Sequence, residues 1–229
     1  MLLYVKSRLF HLRRKHNGNC AQSITLEISE FWTRDAVNLD ISSRCTLACP
    51  NCARQNITDI PTNLLSEAEF DIYLKHFDRF IFCGQISDPI LHPKLDIFLS
   101  KIYSAGKMCS VHVAASHKPD AYFIKCFKAH PKSNWYFGID GLPKDSHKYR
   151  VRQDGEKLFR LMLESRKYIA KSIWQYIIFK YNENDIDTAK ALCVEHGLEM
   201  SLIKSNRWTS GDPLKPTSTD NYYIREEYE

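Results

Sequence analysis

Val37-Asn38-Leu39-Asp40-Ile41-Ser42-Ser43-Arg44-Cys45-Thr46-Leu47-Ala48-Cys49-Pro50-Asn51-Cys52 is the stretch from which the rest of the chain can be read. Val37 to Ile41 predicts a short strand of apolar and β-branched residues. Three thiols then follow at i, i+4 and i+7, a spacing that would place them on one stripe of a helix and bury them as ordinary core cysteines. Pro50 argues against that helix. Proline disfavours the α conformation at Cys49 and has no backbone N–H to donate, so the thiols are expected on a loop that directly follows a strand.

Working outward, short apolar runs alternate with amphipathic stretches from Val37 onward, the pattern of repeated βα units. Six units are counted. The first helix is expected from Ser66, where Ser66 and Glu69 form a capping box, with Leu65, Phe70, Tyr73, Leu74 and Phe77 inward. Strands are expected at Arg79 to Cys83, Cys109 to Ala114, Trp135 to Ile139, Ile173 to Phe179 and Met200 to Ile203. The intervening helices are expected from Leu95 to Gly106, Pro119 to Ala129, Glu156 to Lys171, and Asp185 to His196-Gly197. Parallel strands joined by right-handed crossovers bring their C-terminal ends to one rim, where such α/β folds bind ligands.

The 229 residues, 44% of them hydrophobic, suffice for one substantial core. Three regions are expected: residues 1–35, an extension with a basic arm and one strand at Ile24 to Ile28; residues 36–204, the βα core; and residues 205–229, a polar tail anchored by Trp208, Tyr222, Tyr223 and Tyr228 and able to act as a lid. Lys6, Arg8, Arg13, Arg14 and Lys15 precede the first acid, Glu27, and read as a solvated arm, a phosphate contact or a transit-like leader. No apolar run reaches membrane-helix length, so no membrane partner is expected. Eight cysteines at irregular spacing in a chain of this size fit a reducing, cytoplasmic compartment better than a disulfide scaffold.

Zinc sites are normally closed by four ligands and ferredoxin clusters by four cysteines, whereas here three thiols come as a set. Three thiolates on an iron-sulfur cubane leave one iron open to a further ligand. At this point the sequence resembles the radical SAM superfamily, whose signature is CxxxCxxC on the loop after the first strand of a six-unit, partial (β/α)6 TIM-like barrel. The resemblance spans about Ile24 to Ile203. It implies a [4Fe-4S] cluster on Cys45, Cys49 and Cys52, with S-adenosyl-L-methionine (SAM) bound at the open iron. It also implies reductive cleavage of SAM to a 5′-deoxyadenosyl radical, which takes hydrogen from a substrate.

The same resemblance assigns SAM contacts. Asn51 stands where the family usually has an aromatic residue beside the adenine. Ser87 and Asp88, in Ile86-Ser87-Asp88-Pro89, look like the turn that receives the SAM amino group, with Asp88 for the family's glutamate. Gly138 and Asp140, in Gly138-Ile139-Asp140-Gly141, look like the Ser-x-Asp-Gly segment, and Arg150, in competition with Arg152, like the arginine that pairs with the SAM carboxylate. Ser116 ends the third strand as a SAM contact or a helix cap, and Ile178 lies where the fifth strand packs on the base. Cys20, Cys83, Cys109, Cys126 and Cys193 are left as buried or incidental thiols, and none follows Cys193.

The closest branch in style includes the SPASM-type peptide modifiers, without their C-terminal auxiliary-cluster cysteines. A peptide or protein substrate is therefore favoured, with a peptide, protein or small molecule as substrate partner and an electron donor such as a flavodoxin or ferredoxin. The same chemistry on a nucleotide or RNA, a non-catalytic metal- or cluster-binding module, and a basic RNA-binding accessory protein stay open as alternatives.

Overall fold

The βα alternation is realised as a parallel sheet covered by helices. The computed structural model describes residues 36–60, 62–205 and 208–217, and the backbone pairing of residues 3–5 and 8–10. Strands β1 (Leu3–Val5) and β2 (Arg8–Phe10) pair antiparallel, and β1 pairs antiparallel with β3 (Ala36–Asn38). From β3 the sheet continues in parallel through β4 (Arg79–Phe82), β5 (Met108–Val113), β6 (Asn134–Gly138), β7 (Lys171–Ile177) and β8 (Glu199–Ile203). The spatial order β2-β1-β3-β4-β5-β6-β7-β8 keeps consecutive parallel strands adjacent. Helices α1 (Glu67–His76), α2 (Leu95–Ser104), α3 (Asp120–Ala129), α4 (Gly155–Ser165) and α5 (Ile186–His196) make the crossovers. The architecture is that of a partial TIM-like barrel.

The core lies between the sheet and these helices. Phe70 of α1 stacks on Phe98 of α2 with ring centroids 4.4 Å apart and meets Phe80 of β4 at 5.6 Å. Phe127 of α3 stands edge-on to Trp135 of β6 at 4.7 Å, and Phe159 of α4 does the same to Trp174 of β7 at 5.1 Å. Each fully buried ring of this kind contributes about 1.5–3 kcal/mol by leaving water. The other face of the strands carries Ser110, His112, Gly138 and Gln175 together with Tyr136, whose ring stacks on His112 at 4.2 Å.

Local chemistry sets the element ends. Ser66 and Glu69 form the capping box at the start of α1, and α5 stops at Gly197, whose φ of 60° is the left-handed conformation that glycine tolerates. Most boundaries differ from expectation by one or two residues, and two by more. The first strand leaves the sheet after Asn38 instead of Ile41, because the Asp40 carboxylate accepts the Gln85 N–H and the Ser87 hydroxyl and so follows the turn after β4. Helix α4 ends at Ser165 instead of Lys171. There Tyr168 and Ala170 donate backbone hydrogen bonds to Ser165 and Ser133, and Lys171 is already paired with Asn134 as the first residue of β7.

Lys6, Arg13, Arg14, Lys15, Cys20, the strand expected at Ile24 to Ile28, and Tyr222, Tyr223 and Tyr228 of the tail lie outside the described residues. Among the described residues no helix is long and apolar enough to cross a membrane.

Candidate active site

Cys45, Cys49 and Cys52 sit on the loop that leaves β3 at the C-terminal rim of the sheet. Pro50 has the effect its chemistry dictates. The chain turns at Cys49, where the Cys52 N–H donates to the Cys49 carbonyl at 3.1 Å, and Cys52 opens only a short 3-10 segment, Ala53–Asn56. Arg54 clamps the base of the loop by donating to the carbonyls of Ser43 (2.6 Å) and Ile86 (2.9 Å), and Ala48 donates to Val151. All three thiols are free; Cys49 is buried and the other two half-buried.

Burial, helped by the nearby Asp88, pushes the Cys45 thiol up to about 11. It pushes Cys49 up as well, against the opposing charge of Arg150. Both are therefore neutral thiols in the free chain, and binding an iron cluster there displaces their protons. Among the described residues no three His, Cys, Asp or Glu side chains are gathered about one metal position. The donor set itself fits a cluster: three soft, uncrosslinked sulfurs on one short loop, with the Arg54 and Arg150 cations beside them.

Arg150 occupies the position that joins this loop to the sheet. Its Nε donates to the Asp140 carboxylate at 2.7 Å, and its Nη1 approaches the Cys49 sulfur at 4.0 Å. Asp140 has no solvent exposure, and its second oxygen accepts the Ile177 N–H at 2.7 Å. Burial raises the Asp140 carboxyl while Arg150 and the Ile177 N–H work against it; Arg150 in turn is also buried, and Asp140 and Cys49 outweigh that cost and hold its pKa above the ordinary value. Gly138 makes the arrangement possible: a Cβ there would lie 3.3 Å from the Arg150 guanidinium and from the Ala114 side chain. Arg152, the alternative in the sequence, is exposed with φ 74°.

The remaining expected contacts divide. Ser87 lies at the rim, its hydroxyl donating to Asp40. Asp88 is 4% exposed and its carboxylate is occupied by the N–H groups of Ala114 and Ala115, both at 2.7 Å, and of Ile90 at 3.1 Å. It ties the turn after β4 to the end of β5. Burial raises its pKa, opposed by those three bonds. Ser116 is similarly occupied, its buried hydroxyl accepting the Asp154 N–H at 2.8 Å beside the start of α4. Ile178 is 1% exposed and belongs to the core, whereas Ile177 before it is half-buried next to Asp140. Asn51 does not point toward the strands; its amide donates to Asp212 of the tail at 2.9 Å.

Two residues support Arg150, one of them, Gln153, without any signal in the sequence. Gln153 donates to the carbonyls of Ala114 (2.6 Å) and Gly138 (2.9 Å), and so joins the ends of β5 and β6 beneath Arg150. Tyr149 packs its ring on Phe179 at 4.1 Å with the Arg150 guanidinium 5.5 Å from its own centroid. Tyr149 stands beside Arg150 in the segment already singled out in the sequence, whereas nothing there marked Gln153. Beside Cys45, a cleft of about 360 Å³ is lined by Arg44, Arg54 and Lys118 together with Thr46 and Leu91.

No family model and no curated protein matches the sequence. Solved structures do match in three dimensions. Streptococcus suis SuiB bound to S-adenosylmethionine superposes with a TM-score of 0.64 at 12% identity, over 80% of this chain and 43% of that one. The same SuiB bound to its precursor peptide SuiA gives a TM-score of 0.63. The enzyme anSMEcpe with bound AdoMet gives a TM-score of 0.59 at 14% identity, over 74% of this chain and 51% of that one. TYW1 with a lysine-pyruvate adduct bound gives 0.57 at 14% identity, over 77% and 67%. These proteins are radical SAM enzymes.

The chain shares the fold of these structures. The chain spans less than half the length of SuiB. In this fold the three-cysteine loop, the turn after β4 and the Asp140–Arg150 pair share one rim.

Proposed function

We propose that the chain is a radical SAM enzyme, with Cys45, Cys49 and Cys52 holding a [4Fe-4S] cluster and SAM bound between that loop and the ends of β4 to β7. The observation that carries this is the buried Asp140–Arg150 pair aimed at Cys49, the middle thiol of a CxxxCxxC loop. A cluster held by those three thiols would supply the single electron that reductive cleavage of SAM to methionine and a 5′-deoxyadenosyl radical requires. Arg150 keeps a permanent positive charge where a carboxylate of SAM is to be paired, and Asp140 fixes its orientation. Because the Asp88 carboxylate is occupied, the acceptors for the SAM ammonium are backbone carbonyls of the Gln85 to Ser87 turn, which Asp88 holds in place.

A peptide or protein substrate is the favoured class. SuiB with its precursor peptide, and anSMEcpe with a bound peptide, supply the support. The deciding experiment is anaerobic purification followed by incubation with SAM and dithionite. A brown, iron-containing protein that releases 5′-deoxyadenosine supports the proposal; a colourless one that binds only zinc sinks it.

The cleft beside Cys45 supports an acidic one-electron donor such as a flavodoxin, because Arg44, Arg54 and Lys118 line it without an acidic residue among its lining. Reduction by flavodoxin is expected to slow steeply with added salt and to fall about tenfold or more in Arg44→Glu/Lys118→Glu, with dithionite-driven turnover preserved. Equal flavodoxin rates in the variant would remove the cleft from consideration.

A further inference from the structure

Residues 50–53 form the tip of the cysteine loop, and among the described residues their one long-range hydrogen bond is Asn51 Nδ2 to Asp212 Oδ2, at 2.9 Å across 161 positions of sequence. Asp212 is itself built into a compact turn. Its other oxygen accepts the Leu214 N–H at 2.9 Å, its backbone bonds Thr209 and Lys215, and Gly211 beside it takes a φ of 75°. The segment 208–217 is anchored on the opposite side of the rim as well. Lys180 donates its N–H to the Leu214 carbonyl, Thr217 bonds the Glu183 carboxylate, and Trp208 stands edge-on to Phe179 at 5.5 Å. Phe179 is the ring on which Tyr149 packs, next to Arg150. One short segment thus touches the thiol loop at its middle, through Asp212, and the support of Arg150 through Trp208.

We propose that Asp212 is a positioning residue: through Asn51 it holds the turn between Cys49 and Cys52, so that residues 208–217 are a strap belonging to the cluster site. The inference rests on the function proposed above. It also accounts for asparagine at a position where the resemblance leads one to expect an aromatic ring. A phenyl ring has no donor for a carboxylate, whereas a primary amide makes a charge-assisted hydrogen bond.

The test uses the full chain in two states. In iron-free protein, amide hydrogen exchange at residues 50–53 is expected to quicken about tenfold in Asp212→Ala, with the β5 and β6 amides unchanged. Asp212→Asn retains an acceptor and is expected to stay near wild type. Asn51→Asp sets two carboxylates face to face and is expected to behave like Asp212→Ala, and the exchanged pair Asn51→Asp/Asp212→Asn to restore protection. In iron-loaded protein, Asp212→Ala is expected to release iron to a chelator about tenfold faster, again with recovery in the exchanged pair.

Exchange and iron release both within twofold of wild type in Asp212→Ala, or an exchanged pair no better than Asn51→Asp alone, overturns the strap. The two proposals fail separately. A chain that takes up no iron yet shows the exchange pattern loses the enzyme assignment and keeps the strap, and one that takes up iron indifferently to Asp212 does the reverse.

Discussion

Cys45→Ala/Cys49→Ala/Cys52→Ala is expected to emerge from anaerobic reconstitution colourless, without bound iron and without 5′-deoxyadenosine formation. The three sulfurs share one loop, and among the described residues no group of three His, Cys, Asp or Glu side chains is gathered elsewhere to replace them. Each single Cys→Ala variant is expected to lose more than about 100-fold in iron affinity, since even changes in groups that merely support metal ligands cost about 10–100-fold. The fold should survive. Cys45 and Cys52 are half-buried, so only Cys49 leaves a small void, worth about 1 kcal/mol. Unchanged iron content in the triple variant, measured beside a near-native circular dichroism spectrum, would exclude the thiols as ligands.

Arg150→Ala should produce the largest loss of stability, about 3–5 kcal/mol, because it strands the Asp140 carboxylate, which has no solvent exposure, beside a single remaining N–H donor. The destabilisation is read from the urea midpoint at constant slope. Removing the charge together with its partner should recover much of it, so Arg150→Ala/Asp140→Asn is expected to be more stable than Arg150→Ala alone. Arg150→Lys restores a charge but not the planar fork that bonds Asp140 while facing Cys49, and it should recover stability better than SAM affinity. A loss below about 1 kcal/mol in Arg150→Ala would show that Asp140 finds another partner or is neutral in the fold, and the pair would no longer support the site.

Much of this rim was legible without coordinates because its signals are local. Proline after Cys49 forbids a helix whatever surrounds it, the Ser66–Glu69 box closes within one turn, and a glycine at position 197 marks a helix end through its own backbone freedom. The six strands announced themselves through apolar runs that must be covered on the helix side, and their order follows from chirality and short crossovers. Boundaries slipped where a tertiary bond outcompeted propensity, as when Asp40 drew the chain out of β3 and Ala170 bonded Ser133 at the end of α4.

Residue identity on the rim proved a poorer guide to what each side chain touches. Asp88 and Ser116 look like cofactor contacts in sequence, yet both are occupied by backbone N–H groups from other strands and loops, since a buried acceptor is satisfied by whatever donor the fold brings nearest. The choice of Arg150 over Arg152 depended on which of two neighbouring side chains turns inward over Gly138.

By itself, then, the sequence determined the βα architecture, the loop character of the three thiols and the chemistry they can support, because these follow from backbone sterics, hydrophobic periodicity and ligand type. The tertiary structure alone decided that Arg150 pairs with Asp140 beneath Cys49, that Asp88 serves the backbone, and that Asp212 reaches Asn51. Each of those is a contact between residues far apart in the chain, and pairing of that kind is set by the packing of whole elements, which no local pattern encodes.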